Sequence, residues 1–189
     1  MLPDVSHFLG QNVVVTEKMD GECTTLRHDR VHARSLNTRN HPSRTWVRNF
    51  WGSLRGQIPL NLRICGENLY ARHSIAYSLL LDYFQVFNAW EDDVCLSWME
   101  TMELCQILDL TPVPILYAGP WDEERIRACW TGQSTQGGLQ EGYVVRIEDH
   151  FQYQDFGRRV AKYVRPGHVQ TDEHWLQQPV VPNLLKEPT

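Results

Sequence analysis

The chain has 189 residues, and its 42% hydrophobic and 22% charged residues are typical of one folded globular domain and exclude a disordered, collagen-like or coiled-coil chain. The formal net charge of −5 argues against indiscriminate binding to polyanions. No apolar run predicts a signal peptide or a membrane span, and the five cysteines form no Cys-x-x-Cys pair. We therefore expect a cytoplasmic protein without membrane contact, disulfide framework or zinc knuckle.

Taken in chain order, the sequence predicts many short strands and a few helices. Alternating or β-branched residues indicate strands at 13–16, 23–27, 31–34, 62–67, 83–87, 113–117, 142–147 and 159–164. Helical spacing predicts a helix that ends near Leu54 with Ser43 as an available cap, a second after the Ser97–Glu100 capping box, and a short third after Asp122. The polar run 131–140 is expected to be a loop.

This order of elements also predicts the fold class. Because strands and helices do not alternate regularly, we expect an α+β fold of mainly antiparallel sheets with flanking helices. The domain is expected to fill residues 1–166, followed by a short C-terminal tail at 167–189 and no separate C-terminal domain.

Arginines are concentrated between Arg27 and Arg63, where eight arginines and one acid give a local charge of +7. The planar guanidinium suits phosphate oxygens, so this segment predicts a phosphate-facing surface. The alternative is a solvated face that pairs with the acidic remainder of the chain. Lysines are scarce by contrast, and the three are Lys18, Lys162 and Lys186.

Residues able to do chemistry stand at the ends of the predicted strands. Lys18 ends the first strand, and Asp20 and Gly21 follow it. An amine and a carboxylate at this spacing can share a pocket, and the glycine lets the backbone approach a ligand. Taken alone, this tetrapeptide is equally consistent with an ordinary turn.

Four later segments carry further carboxylates, aromatic rings and basic groups in order along the chain. They are Cys65-Gly66-Glu67-Asn68-Leu69-Tyr70, Tyr83-Phe84-Gln85-Val86-Phe87, Glu141-Gly142-Tyr143-Val144-Val145-Arg146 and Val160-Ala161-Lys162-Tyr163-Val164-Arg165. With Lys18–Gly21, they resemble motifs I, III, IIIa, IV and V of the covalent nucleotidyltransferase superfamily of polynucleotide ligases and capping enzymes. The resemblance covers about residues 13–175 and is strongest to ATP-dependent RNA ligases of the RNA ligase 2 type. Arg34-Ser35 adds to this likeness, and the run 168–172 is similar to a bacterial branch of those ligases.

The resemblance implies a nucleotidyltransferase domain of the ligase and capping-enzyme type, and a reaction in three steps. Lys18 would attack the α-phosphate of ATP, release pyrophosphate and become lysyl-AMP. The AMP would pass to an RNA 5′-phosphate, and an RNA 3′-hydroxyl would displace it to seal the strand. RNA repair is the physiological role that the resemblance implies. Lys162 would stabilise charge on the α-phosphate, and Asp20 would orient the lysine or a metal-bound water.

The resemblance also implies binding roles. Glu67 would bind the ribose hydroxyls, and Phe84 or Phe87 would stack on adenine. Mg²⁺ or Mn²⁺ would be held by Glu141 and Asp20. The full nucleotide set is Glu17, Lys18, Gly21, Arg34, Glu67, Phe84, Glu141 and Lys162. RNA phosphates would be contacted by Arg34, Arg44, Arg48 and Arg55.

Several alternatives stay open. The second lysine of motif V is replaced here by Val164, and Arg165 is a candidate substitute. A capping-type guanylyltransferase would use GTP with the same lysine chemistry, and a non-catalytic RNA-binding or nucleotide-binding module would keep only the fold. DNA ligases append an oligonucleotide-binding domain, and 189 residues are too few for it, so DNA ligation is disfavoured. The form of the RNA ends, and a partner protein that helps to bind them, are not fixed by the sequence.

Overall fold

The structure, a computed structural model, describes residues 4–34, 42–167 and 179–187. Its strands are β1 (Asn12–Lys18), β2 (Glu22–Arg27), β3 (Val31–Ala33), β4 (Leu62–Asn68), β5 (Phe84–Glu91), β6 (Val94–Cys95), β7 (Thr111–Pro112), β8 (Ile115–Pro120), β9 (Gly142–Ile147), β10 (Phe151–Gln152) and β11 (Val160–Val164). Its helices are α1 (Ser43–Leu54), α2 (Trp98–Ile107), α3 (Glu123–Ala128) and α4 (Phe156–Arg159). The predicted α+β class with mainly antiparallel sheets is confirmed.

The strands form two sheets. The smaller sheet has the order β11-β9-β1-β8, and all of its pairs are antiparallel. The larger sheet has the order β10-β6-β5-β4-β2-β3, with the short β7 parallel to β5. The Val13–Val15 run of β1 is fully buried because this strand lies inside the smaller sheet.

Each sheet is covered on its outer side by helices. The smaller sheet packs against a cluster that includes Phe8 and Ile126 of α3. Val47 and Leu54 of α1, with Cys105 of α2, pack against one face of the larger sheet. These layers leave the space between the two sheets for a cavity.

Helix starts follow the sequence signals in two of three cases. Ser97 caps α2, because its Oγ accepts the Glu100 N–H at 3.2 Å while Glu100 Oε2 accepts the Ser97 N–H at 2.8 Å. Asp122 caps α3 through the Arg125 N–H. Ser43 is not the cap of α1. It is the first helical residue, and Pro42 before it has no side chain that can cap.

One strand was expected at 113–117, but the structure divides this region: β7 ends at Pro112, and β8 begins at Ile115. Pro112 and Pro114 remove backbone N–H donors at this point, so one continuous ladder cannot form. The C-terminal residues 179–187 lie against the 69–83 segment and do not form a free tail: Asn183 is 2% exposed, and its N–H donates to Tyr70 O at 3.0 Å.

Candidate active site

A cavity of about 1100 Å³ lies between the two sheets. The smaller sheet contributes Thr16 and Lys18 from β1, Val144 from β9 and Lys162 from β11, and the larger sheet contributes Glu67. In the register, Thr16 lies opposite Val144, and Val144 lies opposite Lys162, so these side chains share one face with Lys18. The topology therefore brings together two lysines that are far apart in the sequence.

Lys18 is held by Glu141 at the start of β9. Its Nζ lies 2.5 Å from Glu141 Oε1, with the lysine side chain 25% exposed and the glutamate 5% exposed. The pairing of Lys18 with Gly142 explains the contact, because it places Glu141 beside the end of β1. A glycine is required at 142: a Cβ there would lie 1.9 Å from Tyr163 O on β11.

Glu67 faces the turn that follows Lys18. Its Oε1 accepts the Gly21 N–H at 3.1 Å, and Glu67 lies opposite Cys23 in the sheet. Burial raises the pKa of Glu67 to about 8, and the negative charges of Glu141 and Asp20 act in the same direction, although Lys18 opposes them. The raised pKa favours the protonated carboxyl, which can donate one hydrogen bond and accept others.

Glu17 is almost fully buried and touches the 131–140 loop. Its Oε2 accepts hydrogen bonds from the Thr135 N–H at 3.1 Å and the Thr135 hydroxyl at 2.8 Å. Its Oε1 has no partner among the described residues. Glu17 also contributes to the cavity wall, so the loop and the cavity meet at this residue.

Asp20 does not line the cavity. Its Oδ2 accepts the Ile75 N–H at 2.8 Å, and its own N–H donates to the Tyr77 hydroxyl at 2.9 Å. These bonds give Asp20 a role in holding the turn after Lys18 against the 69–83 segment. The position gives no support to Asp20 as a metal ligand.

The expectation that Phe84 stacks on adenine is wrong. Phe84 is fully buried between the larger sheet and α1, 5.7 Å from the ring of Phe50. Its ring lies over the backbone of Gly66, where a Cβ would meet it at 2.5 Å. Phe87, the other aromatic considered, lines the cavity.

The predicted RNA-binding arginines are dispersed. Arg34 lines the cavity, and its contact with phosphate stays a prediction. Arg44 is 7% exposed, and its Nε lies 3.0 Å from both carboxylate oxygens of Glu22, so the expected contact between Arg44 and RNA is wrong. Arg48 and Arg55 are exposed, but α1 lies on the face of the larger sheet away from the cavity.

Several polar and aromatic residues of the cavity wall were not predicted to have a role in the site. They include Glu22, His73, Asn88, Arg146 and Phe156. Arg146 belongs to the segment that begins with Glu141. It lies two residues after Val144, so the alternation of side chains along this strand could have predicted that both face the cavity. Ser35, Arg39 and the run 168–172, which includes His168, lie outside the described residues, as does His174.

The carboxylates near Lys18 suit a metal ion that is bound partly by the protein and partly by phosphate oxygens. Over residues 4–34, 42–167 and 179–187, no three His, Cys, Asp or Glu side chains converge on one point. Mg²⁺ commonly uses one or two protein carboxylates and completes its shell with phosphate oxygens and water. Glu141, beside Lys18, fits that requirement.

A nucleotidyltransferase-type domain is defined by these two sheets and their cavity. The chain belongs to the RNA ligase family, whose model, described as RNA ligase, matches residues 11–164. A search of curated proteins finds no match. None of the described helices is long and apolar enough to cross a membrane.

Solved structures of Naegleria gruberi RNA ligase share the fold. An apo mutant and a mutant with ATP and Mn each match with a TM-score of 0.63 and 22% identity, over 89% of this chain and 53% of theirs. The same ligase with PPi matches with a TM-score of 0.61 and 21% identity, over 89% of this chain and 54% of its own. The chain thus spans about half the length of those ligases.

Proposed function

We propose that the protein is an ATP-dependent RNA ligase that joins RNA 3′-hydroxyl and 5′-phosphate ends through a lysyl-AMP intermediate. The contact of Lys18 Nζ with Glu141, at one end of a cavity also lined by Lys162 and Glu67, carries this proposal. Membership of the RNA ligase family supports it. Repair of broken RNA in the cytoplasm is the physiological role that we infer.

In the first step, Lys18 Nζ forms a bond to the α-phosphorus of ATP. The bond between that phosphorus and the β-phosphate oxygen breaks, pyrophosphate leaves with the bonding electron pair, and the amine loses a proton. The Lys18 ammonium must give up a proton before its nitrogen has a free electron pair, and Glu141 Oε1, in contact with Nζ, is placed to accept it. Mg²⁺ or Mn²⁺ held by Glu141 would supply positive charge beside the phosphates.

In the second and third steps, AMP moves to the RNA and is then released. An oxygen of the RNA 5′-phosphate attacks the AMP phosphorus, and Lys18 leaves as an amine. The RNA 3′-hydroxyl then attacks the 5′-phosphate, loses its proton, and AMP departs. Lys162 stands on the same sheet face as Lys18, where its charge can stabilise the phosphate in each transition state.

The remaining predicted contacts belong to the same proposal. The neutral carboxyl of Glu67 can both donate to and accept from the two ribose hydroxyls. Phe87 replaces Phe84 as the ring that stacks on adenine. Glu17 and Gly21 form the wall beside the nucleotide, and Arg34 contacts a phosphate.

Covalent labelling tests the proposal directly. Purified protein with ATP labelled on the α-phosphate and Mg²⁺ or Mn²⁺ is expected to become radioactive, and Lys18→Ala and Lys18→Arg are expected to lose the label. Arginine keeps its proton at any working pH and cannot attack. Lys186→Arg, at an exposed lysine, is the matched control and should label normally. Retained label in Lys18→Ala overturns the assignment.

Two further arms separate the steps and the rival functions. Labelling by GTP alone would indicate a capping-type guanylyltransferase, and no labelling by any nucleotide would indicate a binding module. With pre-adenylylated RNA, Lys18→Ala should retain some sealing, whereas Lys162→Ala should lose about 100-fold to 1000-fold in rate. Wild-type sealing by Lys162→Ala would show that its role does not extend beyond the first step. The partner protein stays a prediction.

A further inference from the structure

Basic residues line the cavity at both of its ends. Lys18 and Arg34 share the first end with the carboxylates Glu17, Glu22 and Glu67. The wall contributed by residues 144–162, here called the second end, carries the cations Arg146 and Lys162 and no acid. A polyanion that extends from Lys18 along this wall therefore meets positive charge and no carboxylate.

Arg146 is buried in the wall of the second end. It is 4% exposed, its Nη2 donates to Leu96 O at 2.6 Å, and its Nε donates to Ile147 O at 3.1 Å. Its guanidinium lies 5.5 Å from the centre of the Phe151 ring and 5.7 Å from that of Trp98. Arg146 therefore supplies positive charge to this wall from within and does not itself reach a ligand.

Two large rings are exposed beside Arg146. Tyr153 is 58% exposed, and Phe156, which lines the cavity, is 40% exposed. Both rest on the buried ring of Trp90, with centroid distances of 5.5 Å and 6.1 Å. The Arg63 guanidinium lies 4.6 Å from the centre of the Trp90 ring and 5.5 Å from that of Tyr153. Tyr153 and Phe156, here called the aromatic rim, are thus held in place by packing on Trp90.

The surroundings of the aromatic rim favour a nucleic acid over an apolar partner. Arg158 and Arg159 lie two and three residues after Phe156, and Lys162 lies on the strand that continues from α4. Asp155 is the acidic neighbour within the same short stretch. Exposed rings flanked by arginines match what single-stranded RNA offers, because each base has a flat face and each linkage has a negative charge.

We propose that the aromatic rim binds a base of the RNA strand whose end occupies the cavity, and that the exposed Arg158 contacts its backbone. The proposal rests on the proposed function, since it requires RNA as the substrate of Lys18. It places RNA contacts at Tyr153 and Phe156, at the opposite side of the larger sheet from α1 and its arginines.

Binding of a fluorescent, 5′-phosphorylated single-stranded RNA tests the aromatic rim without any need for catalysis. Phe156→Ala and Tyr153→Ala are each expected to weaken RNA binding about 5-fold to 100-fold, the range for one base stacked on an aromatic ring. Phe156→Trp should keep or raise affinity, and Phe156→Leu should bind weakly although it retains an apolar side chain. Leu60→Ala, at a residue 79% exposed on the surface, is the matched control and should bind normally.

A cross-link gives an independent positive readout. RNA that carries 4-thiouridine near its end should cross-link to the peptide containing Tyr153 and Phe156. Unchanged RNA affinity in the double variant Tyr153→Ala/Phe156→Ala, with its melting temperature preserved, overturns the proposal. Loss of ATP labelling as large as the loss of RNA affinity also overturns it, because the rings would then serve the nucleotide. If wild-type protein binds RNA through the rim but takes no label from ATP, the proposed function fails and the rim remains.

Discussion

At the scale of single residues, the buried carboxyl of Glu67 should make the stability of the protein depend on pH. Its pKa rises from the ordinary 4.5 to about 8, so between these values the folded protein holds a proton that the unfolded chain has lost. The free energy of unfolding of the wild type should therefore fall as pH rises through this window, by up to about 1.4 kcal/mol per pH unit. Above pH 8 this contribution becomes constant.

Glu67→Gln removes the titration and tests this expectation. Urea denaturation from pH 5 to pH 9 should give a wild-type minus variant difference that declines up to about pH 8 and is flat beyond it. Glu103→Gln, at an exposed glutamate of α2, should leave the pH profile unchanged. Parallel profiles for wild type and Glu67→Gln would contradict the prediction.

Arg44 contributes to stability through a buried ion pair. Its guanidinium meets both oxygens of Glu22, and each side chain is less than a tenth exposed. Arg44→Met leaves the Glu22 charge buried without this partner, so the free energy of unfolding should fall by about 3 kcal/mol. Arg48→Met, at an exposed position of the same helix, should change it by less than about 0.5 kcal/mol. Equal effects in chemical denaturation would contradict this role.

The positions of single residues were predictable from the strands that carry them. Lys18 ends β1, Glu141 directly precedes β9, and Lys162 lies in the middle of β11. The register of the smaller sheet brings both lysines to the cavity and Glu141 beside Lys18. Phe84 and Phe87 were not distinguishable, because both faces of β5 are covered and alternation alone does not tell which face meets the ligand. Arg44 was misassigned because its partner Glu22 is distant in sequence.

Gly142 controls the spacing of two elements, β9 and β11. With no side chain at 142, Tyr163 O can lie where a Cβ would be, so Gly142→Ala must push β11 outward. We expect the variant to lose about 2 kcal/mol of stability, as for overpacking, and most of its lysyl-AMP formation, because Lys162 moves with β11. Gly52→Ala, in α1 with open space around it, should be neutral or slightly stabilising. Thermal denaturation and ATP labelling provide the measurements.

Asn183 ties the C-terminal segment to the turn after Lys18. Its Oδ1 accepts the Tyr77 N–H at 2.9 Å, its Nδ2 donates to Leu69 O at 2.8 Å, and the Tyr77 hydroxyl accepts the Asp20 N–H. Asn183→Ala should lower the free energy of unfolding by about 2 kcal/mol, since it leaves buried groups unpaired. Leu184→Ala, at an exposed neighbour, should have little effect.

Hydrogen exchange sharpens the Asn183 test. Amides of the 69–83 segment should exchange faster in Asn183→Ala, while those of β9 should not change. Uniform acceleration across the protein would show a general loss of stability and contradict the local role. The sequence did not reveal this contact, because a proline-containing end segment without periodicity carries no signal for what it packs against.

At the scale of the whole molecule, a nucleotide in the cavity would contact both sheets at once. A ligand that binds the folded state alone raises the free energy of unfolding by about 2.7 kcal/mol at 100 times its Kd. ATP should therefore raise the melting temperature of the protein, and GTP should do so much less. An equal shift with both nucleotides would contradict a site selective for adenine.

The positive segment between Arg27 and Arg63 shows why charge along a sequence does not define a surface. Its arginines do not share one surface: Arg34 lines the cavity, Arg44 forms a buried ion pair, and Arg63 lies over the rings of Trp90 and Tyr153. Local charge is a property of the chain, whereas a phosphate-binding surface requires that side chains point the same way. The α+β class was predictable because it follows from the order of elements alone.

The chain crosses between the sheets at both ends of the cavity. Residues 19–21 join β1 to β2 beside Lys18, and residues 148–150 join β9 to β10 beside the aromatic rim. Covalent connections at two opposite ends restrain the angle between the sheets, as a frame fixed at both edges cannot swing open. Such connections reduce the binding energy that a ligand must spend on bringing the two walls together. In the proposed reaction, the separation of Lys18 and the aromatic rim would then set how far the RNA strand extends from its reacting end.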